Sequence, residues 1–462
     1  MRDQIDWLRW LFYLLGGIPL VFLVFFVRDR VLRLVTVIFV TIFVQDSFVG
    51  RRYFGGLSLA PSLVVAYIGL LSQVLARRRL PATGIYGPLW IAFLFAGIGG
   101  VISGSLGTGL LQANLKEYQI SYVEGVVFFL YGITALREPE ELRRFFRWMV
   151  VISAGLAFQH FFVAATGYHF RGSSESVTSD VYYSGVLDNG NSLGSYWALG
   201  IPVTLGVALS PSTPRQMRTL SYAVLVPMLG SLILTGSRGG FLFTVVGCGL
   251  LVFTSGARVG KLLSVGFVGL VFGALGYLVI TTFLSTSARE VFDIMKQEGL
   301  ETNRFDIFRA YASMLAQQPL GVGMAADNVR GGAYRHGILA VSAHNIYLDI
   351  GVQTGVIGLA CFLGMAGSFL LRNRRAARLA GDAVTREGLG YLFLCLMGFL
   401  GVGLVEPIYS VSSKLNNVWW LLAGLSVGAA NWVFDAGRSA RTEEAGPGGV
   451  PTSSLSAHAP HA

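Results

Sequence analysis

Apolar runs of about 17–24 residues recur along nearly the whole chain, and a run of that length crosses a ~30 Å hydrocarbon layer as an α-helix. Helix is also the form that pairs each backbone N–H and C=O within one segment where water is absent. Composition agrees: 53% of the 462 residues are hydrophobic and 13% are charged, against about 25% charged in soluble domains. Spans are expected near 8–27, 33–49, 57–76, 88–106, 122–136, 147–165, 193–210, 219–235, 240–255, 262–284, 345–371, 388–407 and 416–434. Only Arg28–Arg33 separates the first two, which leaves the count at 12 or 13 and the side of the N-terminus open. The expected fold class is an all-α, polytopic integral membrane protein. Helices 1–10 occupy 1–284, a large structured loop 285–344, and the last three helices 345–434. A Gly/Pro/Ser/Thr-rich tail, 435–462, is expected to be disordered and cytoplasmic. No small-residue cleavage site follows the first run, so it reads as a retained span.

The net charge of +10 would suggest nucleic acid in a soluble protein. Here the arginines cluster in short loops, at 77–79, 137–147, 215–218, 258–261 and 372–375. By the positive-inside rule those loops face the cytoplasm, so nucleic-acid binding is not expected. The opposite side then carries the 166–192 loop, the Gly236–Gly240 turn and the 285–344 loop, with Arg51 and Arg52 counting against the rule. Cys248, Cys361 and Cys395 all lie inside apolar runs and form no disulfide framework or metal knuckle.

The long outer loop is too long for a plain connector. Six basic residues (Arg289, Lys296, Arg304, Arg309, Arg330, Arg335) balance six acidic ones (Glu290, Asp293, Glu298, Glu301, Asp306, Asp327), so it is no electrostatic tether. Val291, Phe292 and Met295 share a face at helical spacing, which suggests a surface helix. A second helix is expected over 303–317, stopped by Pro319.

No phosphate loop, Asp-x-Asp pair, serine-hydrolase elbow or metal-spaced His/Asp/Glu cluster occurs in the outer loops. No metal and no cofactor are expected. Ionisable residues are scarce inside the spans, with Asp46, Glu124, His160, Asp349 and Glu406 mostly near span ends. That weakens a coupled transporter, which places such groups near the midplane.

What remains is cationic and proton-accepting. Arg238 sits among three glycines in Leu234-Thr-Gly-Ser-Arg-Gly-Gly240. It reads either as an interfacial arginine or as an anion clamp, since guanidinium is a planar fork for phosphate. Arg304 opens the second loop helix, with Arg309 paired in spacing to Asp306; a cation at a helix start opposes the helix dipole and needs another reason. Asn345 is placed to cap the next helix. His344 beside it is either an interfacial polar residue or a proton acceptor for an attacking hydroxyl. Asp349 lies just over a turn onward, where it is placed to orient the ring.

These residues resemble the O-antigen ligase and O-antigen polymerase family of bacterial envelope glycosyltransferases. Ser342-Ala-His-Asn-Ile-Tyr-Leu, with Gly355 after nine intervening residues following Asn345, is similar to the family's His-Asn/Ser/Gln, nine residues, Gly signature of the ligase branch. The Leu234–Gly240 segment and Asn303-Arg-Phe-Asp-Ile-Phe, with Gln318-Pro-Leu-Gly-Val-Gly323 behind it, are further matches. Tyr183–Gly194 resembles a Gly-x-x-x-Asn-Pro-Asn segment in which Gly190 replaces the usual proline. The resemblance covers about 180–410; the first 160 residues share only apolar character.

The resemblance implies a GT-C-like, metal-independent, inverting glycosyltransferase of the bacterial inner membrane, its site facing the periplasm, acting in lipopolysaccharide or polysaccharide biosynthesis. Its partners would be an undecaprenyl-pyrophosphate-linked glycan as donor, a lipid A-core or glycan-chain hydroxyl as acceptor, and membrane lipids. Residue by residue, His344 corresponds to the catalytic histidine and Arg238 and Arg304 to the arginines that hold pyrophosphate, with Asn345, Asp349 and Arg309 in support. A polymerase of the same family, a protein O-glycosylating branch, and a secondary transporter or lipid-glycan flippase remain the alternatives.

Overall fold

A computed structural model describes residues 27–44, 52–54, 57–77, 83–106, 108–166, 187, 190–255, 304–338, 342–406 and 413–444. Among them the chain is helical apart from one small antiparallel hairpin, β1 (Arg52–Phe54) with β2 (Leu57–Leu59), pairing Arg52 with Leu59. This hairpin covers part of the connection between the second and third expected spans and the first three residues, 57–59, of the third, so that helix begins later than expected, at Pro61.

The helices are α1 (Arg30–Phe39), α2 (Pro61–Arg77), α3 (Tyr86–Ser105), α4 (Leu111–Tyr118), α5 (Glu124–Ala135), α6 (Pro139–Thr166), α7 (Gly190–Leu209), α8 (Arg215–Thr235) and α9 (Arg238–Ser255). After the next described residue come α10 (Arg304–Gln317), α11 (Ala326–Arg335), α12 (Ile346–Leu379), α13 (Ala383–Val402) and α14 (Ser413–Glu444). A π-turn, Gln119–Val123, joins α4 to α5, and another, Val40–Val44, extends α1. Among the described residues six helices are long and apolar enough to cross a membrane: α3, α6, α7, α8, α12 and α13; α2 and α9 are shorter apolar helices. The expected spans 8–27 (apart from its last residue) and 262–284, and the surface helix around Val291–Met295, lie outside the described residues.

The span near 416–434 and the one near 122–136 are helices, α14 and α5, yet they carry buried polar side chains: Glu124, Lys414, Asn416 and Asn417 are all under 2% exposed. Asn417 Nδ2 donates to Glu124 Oε2 at 3.1 Å, and Asn416 Nδ2 to the Ser121 carbonyl at 3.1 Å, meeting an acceptor in the π-turn. Such groups are tolerated because the two helices face each other rather than lipid. Helix α14 continues to Glu444, so the tail expected from 435 begins as helix; 445–462 lie outside the described residues.

Among the described residues, the arginine-rich segments at 137–147, 215–218 and 372–375 meet at one end of the bundle. There Arg144 pairs with Asp29 at 2.5 Å and Arg30 with Glu141 at 3.3 Å, while Arg372 donates to Asn431 Oδ1 at 2.5 Å. Ser210, after α7, donates to Glu387 near the start of α13 at 2.7 Å. The end of α8, the starts of α9 and α12, and the end of α13 therefore sit at the opposite end.

At that opposite end lie the described parts of the long loop, 304–338 and 342–344. Helices α10 and α11 share a small core of Tyr311, Met314, Val329 and Ala333, with Val322, Ala343 and Val352. The second loop helix is found where expected; α11 is an addition. Between them, 318–324 turns back into the bundle and meets a break in α12. Gly355 has φ 74 there, and the Val356 amide donates to the Pro319 carbonyl at 2.9 Å and the Val322 amide to the Val352 carbonyl at 2.8 Å. A Cβ on Gly355 would strike the Pro319 carbonyl oxygen, and one on Gly321 (φ 92) would lie 2.6 Å from the Gln353 carbonyl oxygen. Both glycines are required because two main chains cross in contact, each at a positive φ. Non-helical backbone of this kind persists at membrane depth only when protein surrounds it.

Candidate active site

Residues 403–406, just past α13, hold the candidate residues together. The Ile346 amide, at the start of α12, donates to the Gly403 carbonyl at 2.7 Å, and Asn345 Nδ2 donates to the Leu404 carbonyl at 3.0 Å. Arg304, the first residue of α10, donates from Nη1 to the Val405 carbonyl at 3.0 Å, and its Nη2 lies 3.7 Å from Glu406 Oε1. Gly239, next to Arg238, lies against the same segment: a Cβ there would be 2.7 Å from Val405 Cγ2 and 3.5 Å from Glu406 Oε1. One short stretch of chain thus gathers the beginnings of α9, α10 and α12.

Arg238 is exposed at the first position of α9. The turn before it is made by Gly236, left-handed at φ 62, which ends α8, and by Ser237, whose hydroxyl accepts from the Gly240 amide at 3.1 Å. Gly240 and Gly194 are in main-chain contact, a Cβ on Gly240 lying 2.6 Å from the Gly194 carbonyl. The glycine-rich segments around 190–194 and 236–240 are therefore two faces of one contact. Gly190 is the first residue of α7, the helical position where proline is also favoured, so its replacement of the usual proline leaves a helix start in place.

His344 has φ 50, the one non-glycine residue with positive φ among those described. That conformation costs about 1–2 kcal/mol and is held from both sides. Ser342 Oγ accepts from the His344 amide at 3.2 Å, and Asn345 Oδ1 caps α12 by accepting from the Tyr347 and Leu348 amides at 3.0 Å each. Asp349 Oδ2 accepts from Ser342 Oγ at 2.8 Å, and Oδ1 from the Ala343 amide at 2.7 Å. The expectation that Asp349 orients the imidazole is corrected: it fixes the backbone that carries the ring, while His344 Nδ1 is buried without a hydrogen-bond partner. The carboxylate is drawn to those two donors because Ser342 and Ala343 stand directly before the helix start, within reach of its first turn.

Burial, and then the positive charge of Arg304, lower the His344 pKa below 6.5. The ring is therefore a neutral base at neutral pH. Desolvation raises Glu406 from 4.5 to about 7 against the opposing influence of Arg304, and Glu406 Oε2 is buried without a partner. Glu406 was visible in the sequence only as one of the charges near a span end. Arg309 is exposed on α10 and forms no ion pair with the exposed Asp306, so the structure does not bring it to the cluster.

The arrangement offers cations, the positive ends of three helices and a neutral imidazole at one rim. Those groups suit an anionic, diphosphate-like leaving group and a hydroxyl nucleophile.

No curated protein matches this chain. Among solved structures, a chain from work on how a peptidoglycan synthase complex coordinates polymerization and crosslinking is similar at 20% identity, covering 75% of this chain and 96% of its own, with a TM-score of 0.38. The family model described as O-antigen ligase matches residues 223–363, the stretch that contains Arg238, Arg304, His344, Asn345, Asp349 and Gly355. Within this multi-pass membrane protein, that stretch is similar to the O-antigen ligase family.

Proposed function

We propose that this protein transfers a glycan from undecaprenyl pyrophosphate to a sugar hydroxyl of lipid A-core, at the periplasmic face of the inner membrane. The observation that carries this reading is the gathering of the Arg304 guanidinium and the His344–Ile346 start of α12 on residues 403–405, at the rim opposite the arginine-rich segments. Positive-inside placement of the arginine-rich segments supports a His344 rim outside the cytoplasm, where no nucleotide drives transfer and the energy lies in the donor's glycosyl–pyrophosphate bond.

Arg304 and Arg238 hold the diphosphate. Arg304 uses one N–H on Val405 and a long ion pair on Glu406, and a guanidinium has five donors, so several remain for phosphate oxygens. Phe305, 85% exposed beside it, offers an apolar ring to the carrier lipid. His344 takes the proton of the acceptor hydroxyl as its oxygen bonds to the anomeric carbon from the face opposite the leaving group. The C–O bond to pyrophosphate breaks with inversion, and the arginines and helix starts meet the charge that develops.

Purified protein is incubated with a synthetic undecaprenyl-pyrophosphate oligosaccharide and lipid A-core, without nucleotide. Joined product from the wild-type protein and none from His344→Ala is the expected result. Extension of the glycan on its carrier, with no lipid A-core product, would instead mark a polymerase. Equal transfer by His344→Ala would overturn the assignment.

A further inference from the structure

Resting on that reading, we infer that Glu406 is a positioning residue that surrenders Arg304 to the donor's diphosphate and takes up a proton from solvent as it does so. Its side chain is 3% exposed and the Arg304 side chain 34% exposed, so the pair straddles the boundary between packed interior and open rim. Glu406 Oε1 holds Arg304 at 3.7 Å, beyond good hydrogen-bond distance, and Oε2 has no partner at all. A carboxylate so placed is under-satisfied in its charged form. Arg304, in contrast, is firmly anchored by the Val405 carbonyl at 3.0 Å and can turn its remaining N–H groups outward without leaving its helix.

The charged and titratable groups around Glu406 are few. Arg304 comes from α10, Arg238 stands one residue from the Gly239 contact at the start of α9, and His344 precedes α12 and feels Arg304. When a diphosphate with two negative charges engages Arg304, Glu406 loses most of its counter-charge and gains an anionic neighbour, while its burial is unchanged. Both changes favour the neutral acid. The proton passes from water to the carboxylate; no covalent bond to carbon or phosphorus changes. Burial places the free protein's Glu406 at about 7, so the carboxylate form available to take a proton grows through the pH range 6–8. Linkage then requires donor affinity to fall as pH rises above 7, by at most tenfold per pH unit.

The test is calorimetric titration of the full-length protein in detergent with an undecaprenyl-pyrophosphate oligosaccharide, in two buffers of different ionisation heat. A glycan-capped diphosphate is the right probe, because an uncapped terminal phosphate titrates near pH 6 itself. The wild-type protein is expected to take up about half a proton at pH 7 and to approach one at pH 8. Glu406→Gln, which keeps shape and an acceptor oxygen, is expected to bind the donor with uptake lost and with affinity independent of pH from 6 to 8. His344→Ala separates the imidazole as the proton's destination: it is expected to retain the uptake. Binding by wild-type protein with no buffer dependence, or uptake surviving in Glu406→Gln, overturns the inference. Absence of donor binding by the wild-type protein would instead overturn the proposed function.

Discussion

Asp349 reaches back from the first turn of α12 and accepts from the Ser342 hydroxyl at 2.8 Å and the Ala343 amide at 2.7 Å, locking the two residues that precede His344. The carboxylate thereby sustains a left-handed histidine that would otherwise relax toward ordinary backbone. Asp349→Asn replaces one acceptor oxygen with a donor that faces another donor. A shift of about 1 Å in a reacting group costs on the order of 10²-fold in rate. Transfer by Asp349→Asn is therefore expected to fall by about that factor while membrane insertion and donor binding persist. A calorimetric donor affinity and a turnover rate measured on one preparation check this; an unchanged rate would remove Asp349 from the site's framework.

Gly355→Ala tests the crossing of the 318–324 segment with α12. The new methyl meets the Pro319 carbonyl oxygen, and φ 74 is strained for any side chain. We expect a loss of more than about 2 kcal/mol, read as a lower thermal unfolding midpoint in detergent. Gly364→Ala on the same helix adds a Cβ that meets nothing within 4 Å and is expected to be neutral or to stabilise by up to about 1 kcal/mol. Equal behaviour of the two variants would mean the crossing is not a structural constraint.

How much of this was legible beforehand depended on whether the relevant signal is local. Helix α10 could be read directly: its start and the Pro319 stop are encoded within the segment itself. Helix α11 was missed because Gly331 and Gly332 sit in its middle and weaken any propensity argument. Gly355 stood out by resemblance, but its reason, contact with Pro319 and Leu320, belongs to a chain crossing that periodicity does not record. Glu406 is the clearest case. Its identity as a carboxylate near a span end was plain, yet its meaning comes from Arg304, about a hundred residues earlier, and from Gly239 on a third helix. Likewise, Asp349 lies near His344 in sequence, but only the structure distinguishes holding the backbone from orienting the ring.

The pH dependence of transfer follows from His344. Burial and Arg304 set its folded pKa below 6.5, so the imidazole remains an unprotonated base until pH drops beneath that value. The neutral ring's contribution to stability is likewise present above 6.5 and lost as pH falls toward the lowered folded value. In Glu406→Gln, where the carboxyl no longer titrates, kcat/KM is expected to be level at neutral pH with one acid limb below 6.5. A limb above 6.5 would show that another group accepts the proton.

Arg304→Lys isolates geometry from charge. Arginine reaches the Val405 carbonyl with Nη1 and Glu406 with Nη2 at once, leaving the rest of its fork aimed at the rim. A lysine ammonium is a single point with three donors and no fixed plane; it can keep the carbonyl contact or meet the phosphate, but it cannot hold both in one orientation. The charge is kept, so long-range attraction of the dianionic donor survives. We expect donor KM to rise at least about tenfold, the equivalent of ~1.4 kcal/mol, with acceptor KM unchanged and Arg304→Ala inactive. Wild-type donor KM in Arg304→Lys would mean that simple positive charge suffices at this position and that the fork has no role in holding the diphosphate.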